Sequence, residues 1–377
     1  MEKIDIAIVG TGITGLAVSA FLCELDKSIF VLEKNENFGQ ESSSRNSEVV
    51  HAGIYYPQQS MKAKYCVEGN RLIYEICAKN GISYKKLGKL IAASEESEIE
   101  KLDALLEKGK ANGVEGLRII AKDEIRKLEP NVNAAAALLS PNTGIVDTHN
   151  LMKYFYTKAK DQGVEFVFNS GVNAINKKGE EYVVTVRDTD RTDFSFLTRV
   201  LINCAGLNSD KIAEMAGIDI NKAGYSLNYC KGQYFRVGGL KSQMIKHLIY
   251  PVPDEKEISL GIHATPDLGG GLRLGPDAQY IEREQANYIV DESKKDYFAK
   301  RAAKLLPFID SEDLTADTAG IRPKLQGPQS GFRDFVLAHE KHRGFKGLIN
   351  LIGIDSPGLT AAPALAKEVL EIVKELL

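Results

Sequence analysis

The first turn of the chain constrains its fold more than any other feature. An apolar run, Ile4-Asp5-Ile6-Ala7-Ile8-Val9, leads directly into Gly10-Thr11-Gly12-Ile13-Thr14-Gly15, and a helical pattern over residues 16–25 follows. Strand, glycine turn and helix in that order make up the fingerprint of a dinucleotide-binding βαβ unit. Gly10 permits the tight turn, Gly12 removes the Cβ that would obstruct a pyrophosphate, and Gly15 lets the helix approach the strand. The N–H groups at the helix start, around Ile13 and Thr14, face the phosphates together with the positive end of the helix dipole. A second apolar stretch over 28–32 then ends in Glu33-Lys34. An acid at the tip of the second strand accepts hydrogen bonds from an adenosine ribose and repels a 2′-phosphate, which disfavours NADP. The competing reading, an ordinary βαβ unit with a surface glutamate, does not require all of these features in register.

The 377 residues suit two joined domains with ample core. A net charge of −3, with basic and acidic residues interspersed, gives no basis for binding nucleic acid or an anionic membrane. No apolar segment is long enough to span a bilayer, and the charged start Met1-Glu2-Lys3-Ile4-Asp5 does not read as a signal peptide. Five scattered cysteines without a Cys-x-x-Cys pair indicate neither zinc nor a dithiol centre, so no metal is expected. A reducing, cytoplasmic compartment fits that usage.

Beyond Glu33 the chain turns polar, through Ser42-Ser43-Ser44-Arg45-Asn46-Ser47. Hydroxyls, an amide and a guanidinium suit a second phosphate, a ribityl chain or a carboxylate, although a solvated loop has the same composition. His51 follows in a short apolar stretch. An imidazole ordinarily titrates near neutral pH, and His51 reads either as a general base or as a satisfied structural histidine. Helices are expected over 60–80, over 97–113 with a capping box at Ser97 and Glu100, over 123–128 and over 149–162; strands over 83–93 and 164–168. Val172 lies in the next strand. A buried strand over 200–203 runs into Cys204-Ala205-Gly206, where small residues again let the backbone approach a ligand. Residues 224–307 alternate Tyr, Val and Ile with polar residues between Gly/Pro turns, including a strand over 259–263, before a helix over 287–306. The last strand, 348–353, enters the turn Ile354-Asp355-Ser356-Pro357-Gly358-Leu359-Thr360 and a C-terminal helix.

The fold class is therefore α/β with an α+β second domain: a Rossmann-like nucleotide-binding domain, with an interleaved substrate domain on a mostly antiparallel sheet. The boundaries read as 1–85, 145–223 and 325–377 for the first and 86–144 and 224–324 for the second.

The fingerprint, the Asn203–Gly206 turn and the Gly353–Thr360 turn resemble those of FAD-dependent oxidoreductases of the D-amino-acid-oxidase/glycine-oxidase (DAO) type. Longer matches resemble the L-2-hydroxyglutarate dehydrogenase (oxidase) branch: Arg45-Asn46-Ser47, His51-Ala52-Gly53-Ile54-Tyr55-Tyr56, Tyr250-Pro251-Val252-Pro253-Asp254, Leu260-Gly261-Ile262-His263, Leu274-Gly275-Pro276, Gly320-Ile321-Arg322-Pro323-Lys324 and Asn350 to Thr360. The chain departs from that pattern with Glu48 in place of a glycine and Asp277 in place of an asparagine.

The resemblance implies FAD, held by Gly10, Gly12, Ile13, Thr14, Gly15, Glu33, Lys34, Ser44, Arg45, Asn46, Ser47, Val172, Ala205, Gly206, Gly353, Pro357, Gly358, Leu359 and Thr360. It implies oxidation of a 2-hydroxy acid, L-2-hydroxyglutarate, to 2-oxoglutarate by hydride transfer from C2 to flavin N5. His51 would be the base, with His263 as second choice, and Arg322 the carboxylate clamp. Tyr56, Lys62, Tyr250 and Arg273 would compete for the distal carboxylate. Oxygen, a quinone or an electron-transfer protein could take up the electrons, with peripheral association at the inner face of a membrane as one setting. The same fold also serves glycine or amino-acid oxidation, glycerol-3-phosphate dehydrogenation and non-catalytic flavin binding. A tRNA-modifying role is disfavoured by the absence of a basic patch.

Overall fold

The computed structural model describes residues 1–188, 192–253 and 261–377. The chain forms two units, each assembled from separated segments. Residues 1–44, 148–229 and 322–377 make the first, and residues 45–147 and 230–321 the second.

The first unit is built on an eight-stranded sheet. Its parallel centre runs Glu165–Val167, Ile29–Leu32, Glu2–Val9, Asp193–Asn203 and Leu348–Ile352. Ile29–Leu32 and Leu348–Ile352 are buried at every position. That is expected of parallel strands covered on both faces, and it explains their unbroken apolar runs. The hairpin Gly171–Lys178 and Glu181–Arg187 pairs with the first half of Asp193–Asn203, whose second half pairs with Leu348–Ile352. One long strand thus serves two neighbours along one edge, with Glu2–Val9 along the other. The helix Ile13–Leu22 starts directly at Gly12, three residues earlier than its apolar pattern suggests. It packs against the helices Thr148–Asp161 and Gly358–Lys374.

The second unit carries a mixed, mostly antiparallel sheet. From Gln279–Ile281 its order is Asn228–Val237, Leu272–Leu274, Ala264–Pro266, Leu248–Pro251, Lys89–Ala93, Ala136–Ser140 and Arg118–Ala121. Leu248–Pro251 and Lys89–Ala93 run parallel. Alternation along these strands divides the core. Leu90, Ala92, Ile249 and Ala264 pack with Phe298 and Ile125, whereas Ile91, Ala93, Leu248 and Tyr250 pack with Val49, Ile54 and Leu102. A small sheet of Val49–Val50, Gly144–Val146 and Tyr84–Lys85 completes the unit.

Several expectations change. The boundary expected after 85 falls at 44, because Val49–Val50 pairs with Gly144–Val146 and Val49 joins the core of Ile91 and Leu138. The strand expected over 83–93 is two strands, in different sheets, divided at Gly88 with φ +76°. The helix expected over 287–306 shrinks to Lys295–Ala302, because Asp291 accepts the Ser293 N–H at 3.0 Å and holds the preceding residues in a 3-10 turn. The capping box joins Glu95 and Glu98 rather than Ser97 and Glu100. Of the strand expected over 259–263, residues 259 and 260 lie outside the described residues, as does Asp254; the observed strand is Ala264–Pro266. Among the described residues no helix is long and apolar enough to cross a membrane.

Candidate active site

In the first unit the fingerprint forms a tightly closed cradle. A Cβ on Gly15 would lie 2.0 Å from the Gly10 carbonyl oxygen, and one on Gly10 would lie 2.5 Å from the Cys204 carbonyl oxygen. Gly10 also has φ +101°, a conformation that favours glycine. The Cys204 N–H donates to the Val9 carbonyl at 2.9 Å, tying the two glycine turns together. The cysteine is packing: burial pushes its thiol well above the ordinary range.

Glu33 is buried at the tip of its strand. One carboxylate oxygen accepts the Thr11 N–H at 2.9 Å and hydroxyl at 2.7 Å; the other accepts the Asn35 N–H and side-chain amide, both at 2.9 Å. The residue read as a ribose acceptor therefore also braces the fingerprint turn. Ser43, not singled out in the sequence, accepts the Ile13 N–H at 2.9 Å, while Ser44 donates to the Glu41 carbonyl at 3.1 Å. Lys34 pairs with Glu41 on the surface. Val172 sits in the outer hairpin, beside a register shift. The Ala205 N–H donates to the Asn203 side chain at 3.2 Å, and Gly206 has φ +51°. Pro357 caps the helix Gly358–Lys374, which puts Gly358, Leu359 and Thr360 in its first turn, where N–H groups lack helical acceptors. Gly353 has φ +69°. Backbone this close, with no room for a Cβ, fits a pyrophosphate.

In the second unit, Arg45 stacks 4.0 Å over the Tyr288 ring, its buried Nε without an acceptor among the described residues. Asn46 accepts the Glu48 N–H at 2.7 Å. Ser47 is half-buried. Glu48 has φ +59°, in the region that favours glycine, which accounts physically for the glycine of the related pattern. Asp277 is structural, accepting from the Gln233 N–H and the Lys294 ammonium, both at 2.8 Å.

His51 is pinned through its carbonyl, which accepts the Asn70 amide at 2.9 Å and the Cys66 thiol at 3.5 Å. The residue as a whole is half-buried, and its imidazole is closely surrounded by protein. Burial, and then the charge of Lys89, push the imidazole down to about 3, so it is neutral at physiological pH. Lys89 is 1% exposed, and burial pushes it down to about 7. Its ammonium sits over two rings, 4.6 Å from the centre of Tyr55 and 4.8 Å from that of Tyr250. Tyr250 stacks on His263, with ring centres 3.5 Å apart and planes 11° apart. Burial raises both phenols above their ordinary range, and among the described residues the Tyr55 hydroxyl has no partner.

The structure thus brings His51, Tyr250 and His263 into one cluster, together with Lys89 and Tyr55, which the sequence did not single out for roles. Arg273 does not join it. Its guanidinium pairs with Asp317 and donates to the Asn46 carbonyl at 3.3 Å. Lys62 is buried in the first turn of the helix Met61–Asn80, and Tyr56 is half-buried, its carbonyl accepting the Asn112 amide at 2.9 Å. Arg322 is half-buried near the end of the strand Leu314–Lys324. A cavity of about 100 Å³ between Ile249, Leu274 and Leu305 contains none of these residues. Among the described residues no group of three or more His, Cys, Asp or Glu could hold a metal.

A glycine-fingerprint cradle on a parallel sheet, accompanied by an antiparallel unit carrying buried ionisable groups, defines a dinucleotide-dependent oxidoreductase. More specifically, the FAD dependent oxidoreductase (DAO) family matches residues 5–372, and the chain belongs to that family. FAD is its cofactor, and the Gly10–Gly15 cradle fits it. The chain is 36% identical to L-2-hydroxyglutarate dehydrogenase, mitochondrial, of Arabidopsis thaliana, over 98% of this chain and 83% of that protein. It is 29% identical to L-2-hydroxyglutarate dehydrogenase of Escherichia coli (strain K12), over 99% and 94%. Among solved structures, the FAD-bound L-alpha-glycerophosphate oxidase of Mycoplasma pneumoniae superposes with a TM-score of 0.87 at 28% identity, over 99% of this chain and 95% of that one. Glycine oxidase of Geobacillus kaustophilus shares the fold, with a TM-score of 0.78 at 20% identity, over 100% and 95%.

Proposed function

We propose that the protein oxidises L-2-hydroxyglutarate to 2-oxoglutarate. The observation that carries this reading is the whole-chain similarity to proteins named for that activity, which spans both the cradle and the histidine cluster. When bound, FAD supplies the hydride acceptor for the C2 hydrogen. Gly10, Gly12 and Gly15, with the Ile13 and Thr14 amides, would hold its pyrophosphate, and Glu33 the adenosine ribose. The first turn of Gly358–Lys374, with Ala205, Gly206 and Gly353, would face its other parts, as would Arg45 to Ser47.

His51 would take the hydroxyl proton. Being neutral at physiological pH, it is ready to accept one, although its low proton affinity gives little driving force until a nearby anion raises it. His263, stacked on Tyr250, is the alternative base. Arg322 would clamp the carboxylate beside the reacting carbon, a task that suits a planar guanidinium. Arg322→Met should then lower kcat/KM about 100-fold or more, the loss of a charged contact worth about 3 kcal/mol. Unchanged kcat/KM would place the clamp elsewhere. His51→Ala should lower kcat across the whole pH range; full turnover would move the base to His263.

The decisive test is anaerobic reduction of the bound flavin by L- and D-2-hydroxyglutarate, glycine and glycerol 3-phosphate in turn. Bleaching by the L-hydroxy acid alone is the expected result. The structural likeness to a glycerophosphate oxidase favours glycerol 3-phosphate as the second reading, and bleaching by that compound would select it. Five unpaired, buried cysteines support a reducing compartment such as the cytoplasm. The acceptor that reoxidises the flavin follows from mixing the reduced protein with oxygen or a quinone.

A further inference from the structure

Lys89 opens an apolar strand, Lys89–Ala93, that is buried at every residue. Strand alternation puts it on the face of Ile91 and Ala93, where Tyr250 of the parallel neighbour also packs. Among the described residues, nothing on this aliphatic and aromatic face supplies negative charge. Among the described residues the ammonium makes no ion pair and no hydrogen bond; its contacts are the faces of Tyr55 and Tyr250. The neighbouring Cys66 stays a neutral thiol, because burial raises it far above its ordinary range. His51 and His263 in the same cluster offer no counter-charge either. A buried cation is costly without an anion, and two ring faces offset only part of that cost. A second, independent feature points the same way. The Tyr55 hydroxyl is buried and, among the described residues, has no partner. One charged donor and one neutral donor, both lacking an acceptor among the described residues, make up a set suited to a carboxylate.

Given the proposed 2-hydroxy-acid activity, two carboxylates need cations. The one beside the reacting carbon has Arg322 as its proposed clamp, and Arg273 is already balanced by Asp317. We propose that Lys89, with the Tyr55 hydroxyl, binds the substrate carboxylate remote from the reacting carbon and so selects dicarboxylic over monocarboxylic hydroxy acids. The substrate then brings the anion that the described residues do not supply. Its charge also offsets the positive field of Lys89 on His51, strengthening the proposed base only when substrate is present.

The test uses the FAD-loaded protein and titrates glutarate and pentanoate, five-carbon acids that cannot be oxidised at C2 as hydroxy acids, by calorimetry. Wild type should prefer glutarate at least 100-fold, and Lys89→Met should reduce that preference to within about tenfold. In parallel, the ratio of kcat/KM for 2-hydroxyglutarate over 2-hydroxypentanoate should fall about 100-fold in Lys89→Met and recover in part in Lys89→Arg. An unchanged ratio in a flavin-loaded Lys89→Met protein overturns the proposal. Should that variant fail to load FAD, wild type alone decides, and a glutarate preference below about tenfold overturns it. Tight glutarate binding without flavin reduction by any hydroxy acid would reject the proposed activity while leaving Lys89 as a dicarboxylate site.

Discussion

Gly15→Ala is expected to yield a protein that does not retain FAD. The new Cβ would sit 2.0 Å from the Gly10 carbonyl oxygen, a backbone atom in the turn itself. No side-chain rotation relieves that contact, so either the helix Ile13–Leu22 moves outward or the turn opens. Overpacking of this kind costs about 1–3 kcal/mol in a core. Here it also displaces the amides meant to meet the pyrophosphate, so FAD affinity should fall more than 100-fold. The check is the visible flavin absorbance of the purified variant, followed by titration of apoprotein with FAD. Gly171→Ala is the control, because its added Cβ would meet only the Lys34 Cβ, at 3.8 Å. Full flavin occupancy in Gly15→Ala would falsify the cradle assignment.

The second large effect concerns stability. Lys89→Met should make the ligand-free protein more stable at neutral pH, although it should impair dicarboxylate binding. Burial lowers Lys89 from its ordinary 10.5 to about 7. Between those values the unfolded chain keeps a proton that the folded chain has lost, so the lysine's contribution to stability becomes more favourable as pH rises. Below pH 7 both states are protonated, and the folded state carries the full cost of the buried charge, on the order of 5 kcal/mol. Methionine removes it while filling similar volume. The stabilisation by Lys89→Met should therefore be largest at pH 6–7 and fade toward pH 10. His51 acts on the acid side. Lowered from 6.5 to about 3, it stays neutral in the fold while the unfolded chain takes up a proton, so stability falls as pH drops through that window. Removing Lys89 should lessen this acid sensitivity, because its charge contributes to the lowering of His51. Chemical denaturation of both proteins from pH 4 to pH 10 checks the pattern. Equal stability of the two at pH 6 would mean that Lys89 has found an anion within the protein.

The nucleotide-binding half was legible because its constraints are local. Gly10, Gly12, Gly15 and Glu33 lie within one βαβ unit, where backbone geometry dictates residue type at fixed spacing. The role of Ser43 is not legible in the sequence, because many serines in a polar loop look alike and only the fold selects the one that meets the Ile13 amide. The split at Gly88 is not legible either, because a glycine inside an apolar run is compatible with a continuous strand until its φ is known. Arg273 looked available as a lone arginine in a strand, yet Asp317, 44 positions away in sequence, already pairs with it.

By itself, the sequence determined the glycine turn, the apolar strands that bury it and the family-wide order of the motifs, because each is encoded by residues close together in the chain. Only the tertiary structure decided which charges remain unbalanced. Lys89, Tyr250 and the segment that carries His51 and Tyr55 come from three separate stretches, and no local pattern marks Lys89 as anything but the start of a strand. Whether a lysine is solvated, paired or waiting for an anion depends on what packs around its ammonium, and that is settled when distant segments meet.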